Sequence, residues 1–493
     1  MKRIVLAIMF MTLIQACSPS EIAFDPCDAR SSADFGNAIA CYRQITESQL
    51  PQYAMTGSTQ LQGVEQRTYR LMSQSWSPGR LVQPQEWLHD VTLYIPDNVL
   101  RGRALLVVNN GTRYGKDGAL TVAASDFTAE ALVSIAKNTK TVVVSVSDVP
   151  NQFLVYADDG KARAEDDGVA HSWTLFMDAP QQRATMSLHV PVVASITRAM
   201  TLAERELASL DIHRFVVSGI SKRAWGSWLA VVADPRIDAV VPFAIDLLGT
   251  REALKNIYRT YGGNWPIAFY PYYAEGIDRR IDTQEFSWLM QIEDPLSYLD
   301  TRYASRLDVP KYIVNASGDD LFVPDNPSIY YDRLPGSKVL RIVPNSSHNG
   351  IRSSTVQSLS TFINRLQQAT PLPRVDARLE ETGANATILF RSSEHPAKLL
   401  LWSAINPDAR DFRYTCGIRY VATPIDASGD QTIRVPVNLP RSGWSASFIE
   451  ATFADGFVST SQTYILGRER YPLSAPPTGS PGCRTLPGRD VRP

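Results

Sequence analysis

The chain has 493 residues, with 49 Lys and Arg against 50 Asp and Glu, a formal net charge of −1 and a hydrophobic content of 44%. This composition is typical of a globular protein, and the length suggests about two to four domains. Because the charges balance, the sequence lacks the basic surface that nucleic-acid binding requires, and we expect no nucleic-acid partner.

The N-terminus has the pattern of an export signal. A positively charged start precedes an apolar run over residues 4–14, which is too short to span a bilayer. The run ends in Leu13-Ile-Gln-Ala-Cys17, which resembles a bacterial lipobox with Cys17 as the lipidation site. An ordinary signal peptide cleaved near Ala16 is the alternative. With residues 1–17 as a lipoprotein signal peptide, we expect the mature chain in the bacterial cell envelope, facing the periplasm and lipid-anchored to the outer membrane, because Ser18 fits that sorting pattern.

Four further cysteines lie in two pairs near the two ends of the chain. An even number of cysteines in an exported protein is typical of disulfides, and four cysteines allow three connectivities. We predict the connectivity that joins sequence neighbours, Cys27 with Cys41 and Cys416 with Cys483. No Cys and His residues have the spacing of a zinc site, so we expect neither a metal nor another cofactor.

The order of the predicted elements indicates an α/β protein. Residues 18–60 read as a tether with a small disulfide-stapled segment, and residues 65–96 as paired antiparallel strands. Beyond them, apolar runs typical of buried strands alternate with helical periodicity, which predicts a parallel sheet with helices on both faces in a domain over residues 61–370. The predicted strands are Ala104–Val108, Thr141–Val146, one from Phe215, Ala239–Ile245, Lys311–Asn315 and Val339–Val343, and the helices are Thr128–Asn138, Pro191–Leu210 and Ser354–Gln367.

Three further segments differ in character. Residues 246–310 are rich in aromatic side chains and too long for a simple connection, so we expect a lid-like helical insertion, or helices that only cover the sheet. Residues 371–470 alternate polar and apolar positions between turns, which predicts an all-β, sandwich-like domain. The Pro- and Gly-rich tail over residues 471–493 is expected to be loosely ordered.

The candidate chemistry lies in the stretch Phe215-Val-Val-Ser-Gly-Ile-Ser221-Lys-Arg-Ala-Trp225. Its apolar spacing changes from that of a strand to that of a helix across Ser221. This is the context of a nucleophile elbow, in which a strained turn exposes a serine hydroxyl at the carboxyl end of a strand. Arg223 stands where G-x-S-x-G has its second glycine, so its side chain must point away from the strand. A serine that only caps the helix is the alternative.

A serine nucleophile needs a base, and the base needs a carboxylate that orients it. His348, one of six histidines, follows the last predicted strand of the sheet, where an α/β-hydrolase carries its base. The preceding strand ends at two adjacent candidate acids. Asp320 fits a D-x-x-V-P spacing and Asp319 directly follows a glycine turn, while Asp246, one strand earlier, is a third candidate.

Backbone amides that stabilise an oxyanion are expected at two places. The amide of Lys222 follows the nucleophile, and Gly111 or Thr112, after the first buried strand, would supply a second donor. The acidic run from Glu165 to Asp167 is expected to be solvated or to start a helix, with recognition of basic peptides as an alternative.

Nine strings spread over most of the chain carry a family resemblance. They are Tyr69-Arg-Leu-Met-Ser-Gln-Ser-Trp76, Trp87-Leu-His89, Val149-Pro-Asn-Gln152, Glu165-Asp166-Asp167, Gly219-Ile-Ser-Lys-Arg-Ala-Trp225, Tyr261-Gly-Gly-Asn-Trp265, Glu293-Asp-Pro295, Gly318-Asp-Asp-Leu-Phe322 and Pro344-Asn-Ser-Ser-His348. In these strings the chain resembles the PhoPQ-activated pathogenicity-related family. The resemblance implies an α/β-hydrolase fold with a β-rich C-terminal extension in an exported bacterial protein, and no particular substrate.

The chain departs from the family pattern at two of these strings. The family usually has glycine where this chain has Ala224, and Gly-Asp-Glu-Phe-Phe where it has Gly318-Asp-Asp-Leu-Phe322. Since aspartate is the constant member of that second string, the resemblance favours Asp319 as the acid, with Asp320 as the alternative.

Together these features predict a membrane-tethered serine hydrolase. In this hypothesis Ser221 attacks an acyl carbon, His348 moves the proton and an aspartate orients the imidazole. The expected partners are a small-molecule ester or a peptide substrate and, through the lipid anchor, a membrane. A catalytically silent surface protein with a binding or regulatory role is the alternative, because the altered elbow at Arg223 allows it.

Overall fold

A computed structural model describes residue 27 and residues 35–113, 121–382, 385–426 and 432–489. The predicted signal peptide and the lipidation site Cys17 lie outside the described residues. Among the residues that are described, none of the helices combines the length and the apolar character needed to cross a bilayer.

A sheet with nine strands in the described part of the chain forms the centre of the fold. The strands up to residue 343 are β1 (Gln52–Leu61), β2 (Val64–Ser75), β3 (Val82–Gln83), β4 (Glu86–Pro96), β5 (Arg103–Val108), β6 (Val142–Val146), β7 (Leu154–Tyr156), β8 (Ala162–Arg163), β9 (Arg214–Ile220), β10 (Ile237–Phe243), β11 (Asn264–Pro266), β12 (Lys311–Ala316) and β13 (Lys338–Val343). The order across the sheet is β1-β2-β4-β6-β5-β9-β10-β12-β13. In this order, neighbouring strands among β1, β2, β4 and β6 pair antiparallel. Neighbouring strands among β6, β5, β9, β10, β12 and β13 pair parallel.

Helices cover both faces of this sheet. They are α1 (Ala38–Glu47), α2 (Ala129–Thr139), α3 (Glu165–Asp178), α4 (His189–Glu206), α5 (Lys222–Ala233), α6 (Thr250–Thr260), α7 (Tyr270–Ala274), α8 (Gln284–Glu293), α9 (Pro327–Tyr330) and α10 (Thr355–Gln367). Side chains of β5 alternate between the two faces: Leu106 and Val108 lie in the core with α4 and α5, and Leu105 and Val107 in the core with α2 and α10. This double burial explains the continuous apolar run, and the sheet with helices on both faces confirms the predicted α/β fold.

The C-terminal region forms additional sheets. Its strands are β14 (Val375–Thr382), β15 (Asn385–Ser392), β16 (Lys398–Asn406), β17 (Val421–Ile425), β18 (Ile433–Val437), β19 (Trp444–Thr452), β20 (Val458–Thr460), β21 (Tyr464–Gly467) and β22 (Thr485–Pro487). β14, β15 and β18 form one sheet, and β16, β17 and β19 to β21 form another. Phe390 and Ile449, one from each sheet, share a core with Tyr312 and Phe362 of the α/β domain. The β region is therefore packed into the α/β domain rather than attached to it as a separate module.

Two expectations about the chain ends need correction. Residues 52–60, at the end of the predicted tether segment 18–60, lie in β1, which pairs with β2 at the edge of the main sheet. The described part of the tail is not loosely ordered, because β22 pairs with β11 of the insertion and Arg489 binds Asp278 with a distance of 2.7 Å. A short Thr-Leu-Pro strand has no periodicity of its own, so the sequence did not indicate this pairing.

The structure contains both predicted disulfides, Cys27–Cys41 and Cys416–Cys483. The prediction that each cysteine bonds its neighbour in sequence is therefore confirmed. The first bond ties the segment before α1 to that helix, and the second ties the tail to the loop before β17.

Candidate active site

Ser221 lies on a strained turn between β9 and α5. Its backbone has φ 58° and ψ −129°, a conformation that side chains other than glycine rarely adopt. A Cβ placed on Gly219 would lie 2.6 Å from the carbonyl carbon of Arg223, so strand and helix approach closely here. The Ser221 side chain makes no capping hydrogen bond to α5. The turn thus has the geometry of a nucleophile elbow, and the helix-cap alternative does not describe it.

The Arg223 side chain points away from the strand, as a nucleophile elbow requires at this position. The backbone of Arg223 faces Gly219, while its side chain runs to loops beyond the strand, where Nε donates to the carbonyl oxygen of Val149 at 2.6 Å. The guanidinium also pairs with Glu165 at 2.5 Å. The missing second glycine of the G-x-S-x-G pattern is therefore compatible with the tight turn.

His348 is held by Asp319. The imidazole Nδ1 lies 2.7 Å from Asp319 Oδ2, and Asp319 Oδ1 accepts the amides of Leu321 and Phe322 at 2.9 and 3.1 Å. Burial lowers the pKa of His348, but the adjacent carboxylate outweighs burial, and the net effect raises this pKa above its usual value. With Nδ1 on the carboxylate, Nε2 is the nitrogen left to accept a proton.

The other two candidate acids have different environments. Asp320 lines the cavity beside Ser221, and burial together with the neighbouring charge of Asp319 raises its pKa. Asp246 accepts a hydrogen bond from the hydroxyl of Tyr330 at 2.6 Å, and burial raises its pKa well above the usual value. Of the three aspartates, Asp319 is the one hydrogen-bonded to the imidazole of His348.

Ser221 and His348 line one cavity of about 210 Å³. Between these two described side chains there is no hydrogen bond, a common finding in ligand-free active sites. Lys222, Asp166 and Asp320 are the charged groups of the wall. Its apolar part is built by Trp173, Trp225, Ile245, Leu247, Leu254, Ile257, Ala268, Phe269, Tyr272, Leu321 and Phe322, of which Leu247 to Tyr272 belong to the insertion over residues 246–310. The insertion thus forms part of the wall of the cavity.

The structure separates the three candidate oxyanion donors. Lys222 is the first residue of α5, where amides have no partner within the helix and the helix dipole favours negative charge. The Thr112 amide donates to the carbonyl of Val122 at 2.9 Å, so the prediction of Thr112 as a donor is not supported. Gly111 is buried, with φ 106°, and is absent from the cavity wall. Residues 114–120, which come shortly after it in the chain, lie outside the described part.

The acidic run contacts the elbow, which sequence reasoning missed. Glu165 begins α3, as one alternative predicted, but its carboxylate is not merely solvated, because Oε2 accepts from Lys222 Nζ at 2.8 Å. Asp166 lies 3.1 Å from the same Lys222 Nζ and accepts from the Tyr272 hydroxyl at 3.2 Å. The signal that could have revealed this is the Lys222-Arg223 pair, since two cations in a buried turn require carboxylate partners.

A possible cation-binding group lies outside this cavity. Asp158, Asp159 and His171 place their ligand atoms within 4.8 Å of one another. However, Arg163 pairs with Asp159 at 2.7 Å, and His171 Nδ1 faces Glu275 at 3.0 Å. Burial opposes a charge on His171, yet the carboxylates of Glu275 and Asp158 outweigh burial and raise the pKa of His171. The cluster is thus already neutralised by protein cations.

Comparisons with known proteins show which sequences and structures this chain is similar to. Autocrine proliferation repressor protein A of Dictyostelium discoideum is 28% identical over 418 residues, covering 80% of this chain and 82% of that protein. An acetyl xylan esterase from Paenibacillus is 14% identical, with a TM-score of 0.43 over 70% of this chain and 95% of the esterase. Acetyl xylan esterase 1 from Thermoanaerobacterium is 13% identical, with a TM-score of 0.41 over 69% of this chain and 96% of its own. The sequence profile of the PhoPQ-activated pathogenicity-related proteins matches residues 39–413, and the chain belongs to this family.

Proposed function

We propose that the protein is a serine hydrolase that cleaves an acyl ester or an amide bond in a small-molecule or peptide substrate. The observation that carries the proposal is that a strained elbow serine and an aspartate-bound histidine line the same cavity. This combination of cavity-lining hydroxyl, base and orienting acid is what acyl transfer requires.

In the proposed reaction the Ser221 hydroxyl attacks the acyl carbon while His348 Nε2 takes its proton. The charge on the resulting imidazolium is stabilised by Asp319, which accepts from Nδ1 at 2.7 Å. The oxyanion forms beside the N-terminus of α5, where the amide of Lys222 is a donor. His348 then protonates the leaving alcohol or amine, and water, activated by the same imidazole, hydrolyses the acyl-enzyme.

A fluorophosphonate probe tests this proposal, because it phosphonylates only an activated serine. The intact protein should be labelled, and the Ser221→Ala, His348→Ala and heat-denatured forms should not. Ser353→Ala is the matched control, because it removes an exposed hydroxyl from the turn after His348 that only donates to the Gly350 carbonyl at 2.9 Å. Labelling that persists in Ser221→Ala would place the activity elsewhere, and no labelling of the intact protein would favour a silent binding protein.

We also propose that the chain is exported and lipid-anchored through Cys17 to the outer membrane, where it faces the periplasm. The two disulfides support export, since such bonds persist in oxidising compartments. Radiolabelled fatty acid should be incorporated into the full-length protein in bacterial cells and lost in Cys17→Ser. Incorporation that is equal in both forms would contradict the anchor.

A further inference from the structure

Arg223 joins three separate parts of the fold. Its side chain is only 4% exposed and contacts Asp126 at 3.4 Å in addition to Glu165 and the carbonyl of Val149. Val149 follows β6, Glu165 begins α3, and Asp126 lies before α2 in the long connection after β5. One residue of the elbow helix therefore fixes the three connections that surround the serine turn.

One arm of contacts runs from Arg223 to the Gly111 peptide. Glu165 Oε1 accepts from Arg223 at 2.5 Å and from Gln152 Nε2 at 2.9 Å. The backbone amide of Glu165 returns a hydrogen bond to Gln152 Oε1 at 3.0 Å. Gln152 Nε2 also donates to the Gly111 carbonyl at 3.1 Å, so the orientation of the peptide that joins Gly111 to Thr112 depends on Glu165 through a single buried amide.

A second arm runs from Arg223 to the histidine turn. The Asp126 carboxylate, 3% exposed, accepts from Arg352 Nη2 at 2.6 Å and from its Nε at 3.1 Å. Arg352 lies four residues after His348, in the same turn. Asp126 thus pairs with two arginines, Arg223, two residues after Ser221, and Arg352, four residues after His348.

The charges of this network depend on one another. Arg223 is buried against two carboxylates, and Glu165 is shared between Arg223 and Lys222. Burial opposes the charge of Glu165, but the two cations outweigh it and hold its pKa below the usual value. A buried ion pair contributes little net stability, yet removing one partner leaves an uncompensated charge. Such a network specifies an arrangement of loops more than it stabilises the fold.

We propose that Arg223 and Glu165 are positioning residues that hold the loop after β5 and the His348 turn in register with Ser221. The inference rests on the proposed hydrolase function and explains why arginine can replace the elbow glycine. A displacement of about 1 Å at a reacting group can cost about 100-fold in rate, which sets the scale of the expected effect.

The test uses the variants Arg223→Gln, Glu165→Gln and the double variant, with p-nitrophenyl butyrate as substrate. Each single variant should lose about 100-fold in kcat while KM stays within about threefold, because the network touches the reacting groups only indirectly. Since both residues act as one unit, the kcat of the double variant should lie no more than about threefold below that of the slower single variant.

Arg365→Gln is the matched control. Arg365 is 3% exposed and binds two carboxylates, Glu394 at 2.8 Å and Asp455 at 2.6 Å, away from the cavity. It should lower the melting temperature comparably but keep the wild-type kcat. If Arg223→Gln does not fold, Gln152→Ala breaks the link to Gly111 without unpairing a charge, and should lose about tenfold in kcat.

Two outcomes overturn the positioning role. One is a folded Arg223→Gln or Gln152→Ala variant with kcat within about threefold of the wild type, and the other is an equal loss in Arg365→Gln. Fluorophosphonate labelling of the wild-type protein separates the two levels. If the wild-type protein is not labelled, the hydrolase proposal itself fails. If the wild type is labelled and the Arg223→Gln variant is fully active, only the positioning role of Arg223 and Glu165 is contradicted.

Discussion

The exchange Asp319→Asn tests which of two adjacent carboxyls serves His348. Asp319 Oδ1 already accepts two backbone amides, and Oδ2 binds imidazole Nδ1 at 2.7 Å. In the variant the side-chain oxygen would keep the two amides, and the new NH2 group would face Nδ1. The imidazole would then accept at Nδ1 and carry its proton on Nε2, the tautomer that cannot take a proton from serine.

The expected loss follows from this change of tautomer. In an enzyme with the same constellation, an Asp to Asn change lowers kcat about 10⁴-fold, which corresponds to about 5.4 kcal/mol of transition-state stabilisation. Asp320→Asn should stay within about tenfold of wild type, with the change mainly in KM, because Asp320 lines the cavity and leaves the imidazole pair intact.

Both variants are compared by kcat and KM for p-nitrophenyl butyrate, with the melting temperature as a check of folding. The backbone contacts of Asp319 survive the exchange to Asn, so a folded variant is expected. A reversed order, with Asp320→Asn losing the larger factor, would mean that the acid turn rearranges in the working enzyme. Equal small losses would remove the histidine and its acid from the mechanism.

The remaining predictions concern pH, the disulfides and the elbow glycine. Neutral His348 is the base, and Asp319 raises its pKa, so kcat/KM should rise with pH through a midpoint above about 6.5. Asp319→Asn should lower this midpoint. A wild-type midpoint well below about 6.5 would contradict the pairing of His348 with Asp319. The double variant Cys416→Ser/Cys483→Ser should lower kcat more than Cys27→Ser/Cys41→Ser, because the backbone amide of Tyr414, close to the Cys416–Cys483 bond, donates to the Gly318 carbonyl beside Asp319. Esterase assays of both double variants check this. Gly219→Ala should lower the free energy of unfolding by about 1–3 kcal/mol in urea denaturation, since its Cβ would lie 2.6 Å from Arg223. Gly36→Ala, whose Cβ would meet nothing closer than 3.9 Å, is its control.

The sequence predicts the centre of the fold well, because local patterns are sufficient there. The run Ala104–Val108 is apolar throughout, as expected of a strand covered on both faces, and it forms most of β5. The change of period at Ser221 likewise coincides with the passage from β9 to α5. In both cases neighbouring residues alone determine the periodicity, so no distant partner has to be known.

Features that depend on distant partners escape prediction. β22 is a strand only because β11, far away in the chain, offers it a partner. Glu165 looks like any acidic helix start until the fold brings it to 2.5 Å from Arg223. The local pattern alone also leaves Asp319 and Asp320 open, since they are adjacent and differ only in which reaches the imidazole; the preference for Asp319 came from the family resemblance.

The C-terminal region contacts the turn that carries Asp319. The Tyr414 amide donates to the Gly318 carbonyl at 3.0 Å, and a Cβ on Gly318 would lie 2.6 Å from the same nitrogen, so the acid turn is shaped by direct contact with this region. The preceding residue, Arg413, donates to the carbonyl of Cys483 in the tail at 2.8 Å and lies over the ring of Tyr261 in the insertion. Acid turn, tail and insertion therefore meet at two consecutive residues. A chain that ended after α10 would keep the serine and the histidine but lose these contacts to the acid turn and the insertion.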